Sequence, residues 1–206
     1  ECYHAGYTSE EKIRIQKGMM ENQFKAIAAT NALGMGIDKP DIRFVILVDL
    51  PGSITAYYQE VGRAGRDGEE AEGILLFDQV DRNIQEHFIR SAEPDENEFE
   101  LVMTTIRNYC GENGPRLIDL KIGTGLHPTK ITVIMAELVE QAIAEKVLVG
   151  RQQVYRLLNL NVPDLSRYRN QRHARELELA NMLYYGEQHK DCYMALLRRA
   201  LGDESV

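Results

Sequence analysis

Two stretches decide the fold: Ala26-Ile-Ala-Ala-Thr30-Asn-Ala-Leu-Gly34-Met-Gly36-Ile-Asp38-Lys-Pro40 and Tyr57-Tyr-Gln59-Glu60-Val-Gly62-Arg63-Ala-Gly65-Arg66-Asp67-Gly68. The first is a short apolar strand running into a turn of small residues that ends at a proline. The second ends in two arginines separated by alanine and glycine. Between them, Arg43-Phe-Val-Ile-Leu-Val-Asp49 is a continuous apolar run with polar ends, the signature of a parallel strand covered on both faces. Strands that end in glycine, threonine, aspartate or paired arginine present those groups to a phosphate-rich partner at a sheet edge.

The flanking sequence extends this pattern. Tyr3-His4-Ala5-Gly6 reads as a strand end, and Thr8-x-x-Glu11 fits a capping box for a helix to about Glu21. Lys25–Thr30 is expected as a short buried strand, and Ser53 as the cap of a helix to about Gly62. Glu72-Gly-Ile-Leu-Leu-Phe77 reads as a further strand and residues 81–91 as a helix. Strand–helix alternation over some ninety residues predicts an α/β domain with a mostly parallel sheet across residues 1–92. Glu93-Pro-Asp-Glu-Asn-Glu98 has the composition of a linker.

Beyond the linker the period changes. Phe99–Cys110, Arg116–Ile122 and Pro128–Ala144 are expected as helices, and Lys146–Leu158 alternates like a hairpin. Three helices and a hairpin are the outline of a winged helix-turn-helix, here residues 98–160. Residues 164–206 return to helix as a hairpin of two, one rich in arginine to about Tyr185 and one over Asp191–Ala200.

Composition limits the function classes. With 206 residues, 44% hydrophobic, the chain can fill one sizeable domain and one or two small ones. No apolar run approaches a membrane span and no signal peptide is visible, so a cytoplasmic protein without a membrane partner is expected. The three cysteines, Cys2, Cys110 and Cys192, are odd in number and far apart, as free thiols in a reducing compartment would be. The chain opens at Glu1 inside what reads as a motif, as a fragment would. A net charge of −8 argues at first against nucleic acid. However, residues 67–100 hold twelve Asp or Glu against two Arg, a net of −10, which leaves about +2 for the rest.

The chemistry concentrates in the two opening stretches. Small residues after a strand let a backbone approach an anion, and Thr30 has both an N–H and a hydroxyl to donate. Asp38, just beyond Gly36, can accept hydrogen bonds from a ribose or from an arginine. The alternative is a tight crossover in which glycine serves geometry alone. Arg63 and Arg66 suit a phosphate, since each guanidinium offers paired donors and keeps its charge. The alternative there is an ordinary basic helix terminus answering the helix dipole. Gln59 and Glu60, one turn earlier, can orient an arginine or touch a ligand.

Together these residues resemble a known pattern. Ala29-Thr30-Asn31-Ala32-Leu33-Gly34-Met35-Gly36-Ile37-Asp38-Lys39-Pro40 is similar to motif V of superfamily 2 helicases. Tyr58-Gln59-Glu60-Val61-Gly62-Arg63-Ala64-Gly65-Arg66-Asp67-Gly68 resembles motif VI in the form used by RecQ-family DNA helicases, and Tyr3-His4-Ala5-Gly6 matches that family's tyrosine–histidine turn. The resemblance implies an ATP-driven motor of two RecA-like domains with ATP and Mg²⁺ in the cleft between them, acting on DNA. It implies Arg66 as the arginine finger on the γ-phosphate and Arg63 as its neighbour. Asp38, Gly36 and Gln59 fall on the nucleotide side, and Thr30 and Asn31 on the DNA backbone. The chain has no Gly-x-x-x-x-Gly-Lys-Ser/Thr and no Asp-Glu-x-His. Those groups would belong to a first RecA-like domain, so this chain is expected to carry half an active site and to be inactive alone.

The C-terminal segments are read more openly. The helix expected at Pro128 offers Thr129, Lys130 and Thr132 but also Glu137 and Glu140, a poor surface for phosphates. It suits DNA contact or a purely structural winged helix. Residues 172–203 resemble the helical hairpin of the RecQ zinc subdomain, in which Cys192 would be the first of four ligands, although Tyr193 stands where that family usually has arginine. A structural zinc site needs four ligands, so no zinc is expected here. Nearby His189 reads as a surface histidine. Arg167, Arg169, Arg172 and Arg175 form a basic run suited to phosphate contacts or to a solvated helix face.

Overall fold

The computed structural model describes residues 1–33, 38–187 and 192–203. The chain divides into two compact units, residues 1–82 with 178–206, and residues 83–177. Gly36, expected beside the nucleotide, and His189 lie outside the described residues.

The first unit begins with β1 (Cys2–Tyr3), α1 (Ser9–Met20) and β2 (Ala28–Ala29). The capping box is present: Thr8 accepts from the Glu11 N–H, and the Glu11 carboxylate accepts from the Thr8 N–H at 2.8 Å. Asn31–Leu33 form a single 3₁₀ turn. Then come β3 (Phe44–Leu47), α2 (Ile54–Val61, capped by Ser53), β4 (Glu72–Leu75) and the start of α3 (Asp81–Ala92).

Pairing is parallel throughout this unit, as strands joined by helical crossovers require. Among the described residues it takes the form of two pairs, β1 with β2 and β3 with β4, rather than one continuous sheet. Gly73 lets β4 approach α2, since a Cβ there would stand 3.0 Å from a Val61 methyl. Leu47, Leu50 and Ile54 are buried around this crossover.

Two expectations are corrected. β2 is exposed rather than buried: it is two alanines long, and among the described residues its strand partner is β1. β3 is covered on one face only. Val45 and Leu47 point inward, while Phe44, Ile46 and Val48 just after the strand are exposed, Val48 by 68%, as are Ile74 of β4 and Leu76 just after it. The apolar run was read as a strand covered on both faces, but within this chain α2 covers one side.

The second unit contains α4 (Glu96–Arg107), α5 (Leu117–Thr124), α6 (Pro128–Glu140) and the antiparallel hairpin β5 (Ala144–Val149) and β6 (Gln152–Leu157). Its core is formed by Phe99, Val102 and Ile106 of α4, Leu120 of α5, Ile131, Ile134, Met135 and Leu138 of α6, and Tyr155 of β6. Residues 93–98 are not a linker. Asp95 caps α4 by accepting from the Glu98 N–H, and Glu98 reciprocates on the Asp95 N–H, so the acidic run is a capping box. α6 also ends earlier than expected, because Ala142 turns to φ 55° and Ile143 and Ala144 are already entering β5.

α7 (Ser166–Gly186) divides between the units at Leu177 and Glu178. Leu165 and Tyr168 join the core of the second unit. Tyr185 stacks in the first unit, 5.2 Å from Tyr57 of α2 and 5.3 Å from Tyr193 of α8 (Tyr193–Ala200). Burial, and then Tyr57 beside it, push the Tyr185 hydroxyl well above its ordinary pKa. No helix of the described residues is long and apolar enough to cross a membrane.

Candidate nucleotide and nucleic-acid site

Thr30 and Arg63 stand where a strand and a helix end. Thr30 follows β2 directly. Its N–H already donates to the Tyr3 carbonyl at 3.1 Å, which leaves the exposed hydroxyl as the group it can offer a ligand. Asn31 follows on the 3₁₀ turn, also exposed. Upstream, the His4 and Tyr7 rings stack with centroids 4.0 Å apart, and His4 Nδ1 accepts from the Gly6 N–H.

α2 carries Gln59, exposed, and Glu60, half-buried, and stops at Gly62. The chain leaves through Gly65, whose φ of +67° suits glycine and whose N–H donates to the Ile42 carbonyl at 3.0 Å. Arg63 is half-buried at the helix end. Arg66 donates from Nη1 to Asp38 Oδ1 at 2.7 Å and from Nε to the Gly62 carbonyl at 3.2 Å. The structure therefore brings together Asp38 and Arg66, residues 28 apart in sequence. It also shows a terminal carbonyl of α2 answered by a guanidinium, as the helix dipole favours. Of the two partners open to it, a ribose or an arginine, Asp38 meets the arginine here. The pair is accessible, with side-chain exposures of 84% for Asp38 and 40% for Arg66.

Arg43, at the start of β3, was not singled out from sequence. Its Nε donates to the Asp41 carbonyl at 3.2 Å, its Nη1 to the Glu70 carbonyl at 3.2 Å and its Nη2 to the Pro40 carbonyl at 3.3 Å, and it pairs with the Asp67 carboxylate. That bond holds the Asp67 carboxyl below its ordinary range and raises the Arg43 guanidinium. Lys39, buried, pairs with Asp41, which also accepts from Asn22 Nδ2 at 3.1 Å. The only signals in the sequence were that Arg43 opens an apolar strand and Asp67 closes the arginine turn.

Three arginines of the basic run on α7 are ion-paired within the chain. Arg167 meets Glu137, which also accepts from the Tyr168 hydroxyl at 2.8 Å. Arg169 meets Glu96 at 2.8 Å, and Arg175 meets Glu93 at 3.1 Å. Arg172 has a buried Nε without a hydrogen-bond partner. The run 167–175 is acid-free in its own sequence, but α4, α6 and Glu93 after α3 supply carboxylates across space. Cys192 is exposed, and among the described residues no group of three His, Cys, Asp or Glu is placed to hold a metal ion.

Residues 1–68 match the helicase conserved C-terminal domain family, and this match spans β1, β2, β3, α2, Asp38 and both arginines. Over 155 residues the chain is 36% identical to "Probable ATP-dependent DNA helicase RecS" of Bacillus subtilis, covering 75% of this chain and 31% of that protein. Over 77 residues it is 52% identical to "RecQ-like DNA helicase blm-1" of Caenorhabditis elegans, covering 37% of this chain and 8% of that protein. The chain belongs to the RecQ family. A further relative in Acanthamoeba polyphaga mimivirus, 41% identical over 102 residues, carries the name of an RNA helicase, R290, and the match covers 49% of this chain and 19% of that protein. This RecQ-family chain thus spans a third or less of the length of each of these relatives.

Proposed function

We propose that the chain is the second RecA-like domain, with its C-terminal attachments, of an ATP-dependent DNA helicase. In this reading Arg66 is the arginine finger of an ATP site whose other half lies on a first RecA-like domain. The observation that carries it is the Arg66–Asp38 pair at the turn after α2. A guanidinium held at 2.7 Å by an accessible carboxylate is already charged, oriented and within reach of solvent, so a phosphate oxygen can replace the carboxylate without the arginine being rebuilt. Arg63 would bind the phosphates beside it, and Gln59 the nucleotide. ATP, with Mg²⁺ held by carboxylates of the other domain, would supply the phosphoryl group whose transfer drives movement. This chain's part is to place positive charge on that group.

DNA would meet the exposed Thr30 hydroxyl and Asn31. The winged-helix reading of α4 to β6 and the zinc-hairpin reading of α7 and α8 belong to the same proposal. The arginines of α7 contribute to DNA binding only where a phosphate displaces Glu137, Glu96 or Glu93. RNA is the second reading, favoured by the mimivirus relative, which is named as an RNA helicase. Tyr58-Gln59-Glu60 opposes it, since RNA motors of this superfamily more often carry His-Arg there.

The test is ATP hydrolysis by this chain alone. No turnover is expected, with or without single-stranded DNA, because the phosphate-binding lysine and the Mg²⁺ carboxylate are not in these 206 residues. Turnover that copurifies with the chain and disappears in Arg66→Ala would mean that the site is complete here and the half-site reading is wrong.

A further inference from the structure

Two loops carry the candidate nucleotide site, and a third residue grips both. The first loop, residues 38–41, contains Asp38. The second, residues 63–70, contains Arg63 and Arg66. Ties between them or to the start of β3 are the Arg66–Asp38 pair, the Gly65 N–H on the Ile42 carbonyl, and the Arg43 guanidinium. The last is the most extensive. Arg43 uses Nε, Nη1 and Nη2, reaching the carbonyls of Pro40 and Asp41 on one loop and Asp67 with the Glu70 carbonyl on the other. Asp67 is the residue after Arg66, and Pro40 lies two residues beyond Asp38. Arg43 itself stands immediately before β3, where its carbonyl accepts from the Glu72 N–H at 3.0 Å at the head of β4.

A planar guanidinium with fixed donor directions converts those contacts into a fixed spacing, which a flexible ammonium cannot do. Removing it would take away the side-chain grip on Asp67 and on the Glu70 carbonyl, and the Asp38–Arg66 pair is one that a nucleotide would itself break.

From this geometry we infer that Arg43 is a positioning residue for Arg66, fixing the turn that bears the finger through Asp67 and the loop that bears Asp38 through the Pro40 and Asp41 carbonyls. The inference rests on the reading of Arg66 as the finger. Arg43 touches no reacting atom. Its contribution is to keep Arg66 in place at the moment Asp38 releases it.

The test is a double-mutant cycle on steady-state ATP hydrolysis in the complete motor that joins this chain to a first RecA-like domain. Arg43→Ala is expected to lower kcat by about ten- to a hundredfold, the scale of an ångström-sized misplacement, with KM for ATP moved less than about threefold. Asp67→Asn should shift both in the same direction, and Arg43→Lys should recover only part of the loss. In the Arg66→Ala background, Arg43→Ala should cost nothing further, because it acts through Arg66. The inference is overturned if Arg43→Ala slows Arg66→Ala by the same factor as the wild type, or if Arg43→Ala and Asp67→Asn keep the wild-type kcat while Arg66→Ala does not. An Arg66→Ala enzyme with wild-type kcat would instead overturn the finger reading itself. Should Arg43→Ala fail to fold by circular dichroism, Asp67→Asn, which keeps all three carbonyl contacts, decides the question.

Discussion

Arg167 and Arg169 stand two residues apart on α7, and both are ion-paired, yet their surroundings separate them. Glu137 is 8% exposed and shares its carboxylate between Arg167 and the Tyr168 hydroxyl, whereas Arg169 and Glu96 are 63% and 68% exposed. Removing Arg167 leaves a buried charge with neutral donors only, while removing Arg169 returns two solvated groups to water. Arg167→Ala should therefore lower the urea midpoint clearly, because it strands a mostly buried carboxylate with neutral donors. Arg169→Ala should cost less than about 0.5 kcal/mol. Urea unfolding of the two variants checks this, and equal losses would show that the Glu137 pairing is not what holds α7. The same contrast explains why the run could be read from sequence as a phosphate surface. Its carboxylate partners lie 30 and 73 residues away, beyond any local pattern.

Among the elements, α5 shows how a cap can be written in electrostatics. Arg116 donates from Nε and Nη2 to the Asp119 carboxylate at 2.9 and 3.0 Å, and its own N–H donates to the same group at 2.9 Å. The Arg116 side chain, then its backbone N–H, hold the Asp119 carboxyl at about 2, below its ordinary 3.8. A depressed carboxylate stabilises the fold fully above its unfolded-state pKa, and that stabilisation is lost as pH falls through the folded value. The melting temperature of the chain should therefore fall more steeply in wild type than in Asp119→Asn between about pH 4 and pH 2. Parallel curves would remove Asp119 from the acid response. Element types were legible wherever a local rule governs: the Thr8–Glu11 box, the Ser53 cap and the β5–β6 alternation all appear as read. Asp95-Glu96-Asn97-Glu98 was misread because acidity and a nearby proline suit a linker as well as they suit a helix N-terminus. Only the reciprocal bonds distinguish the two.

For the whole molecule, the net charge of −8 says little, because the acidic excess lies in residues 67–100 and much of it is spent on caps and pairs: Asp67 on Arg43, Asp95 on α4, Glu93 and Glu96 on α7. Parallel pairing and the placement of both arginines after a helix were readable from periodicity and glycine spacing. The Asp38–Arg66 contact was left open between two partners, since residues 28 apart meet only through the register of β3 with α2. Arg43 was missed because a single arginine before an apolar run carries no motif of its own. The central claim is that Arg66 acts on a nucleotide held mainly by another domain. Its most direct test is single-turnover ATP hydrolysis by the complete motor at saturating ATP, wild type against Arg66→Ala. The predicted result is a rate about a thousandfold lower, with ATP affinity changed by less than about fivefold, the signature of charge supplied in the transition state rather than in binding. An unchanged rate, or a loss confined to ATP affinity, would contradict it.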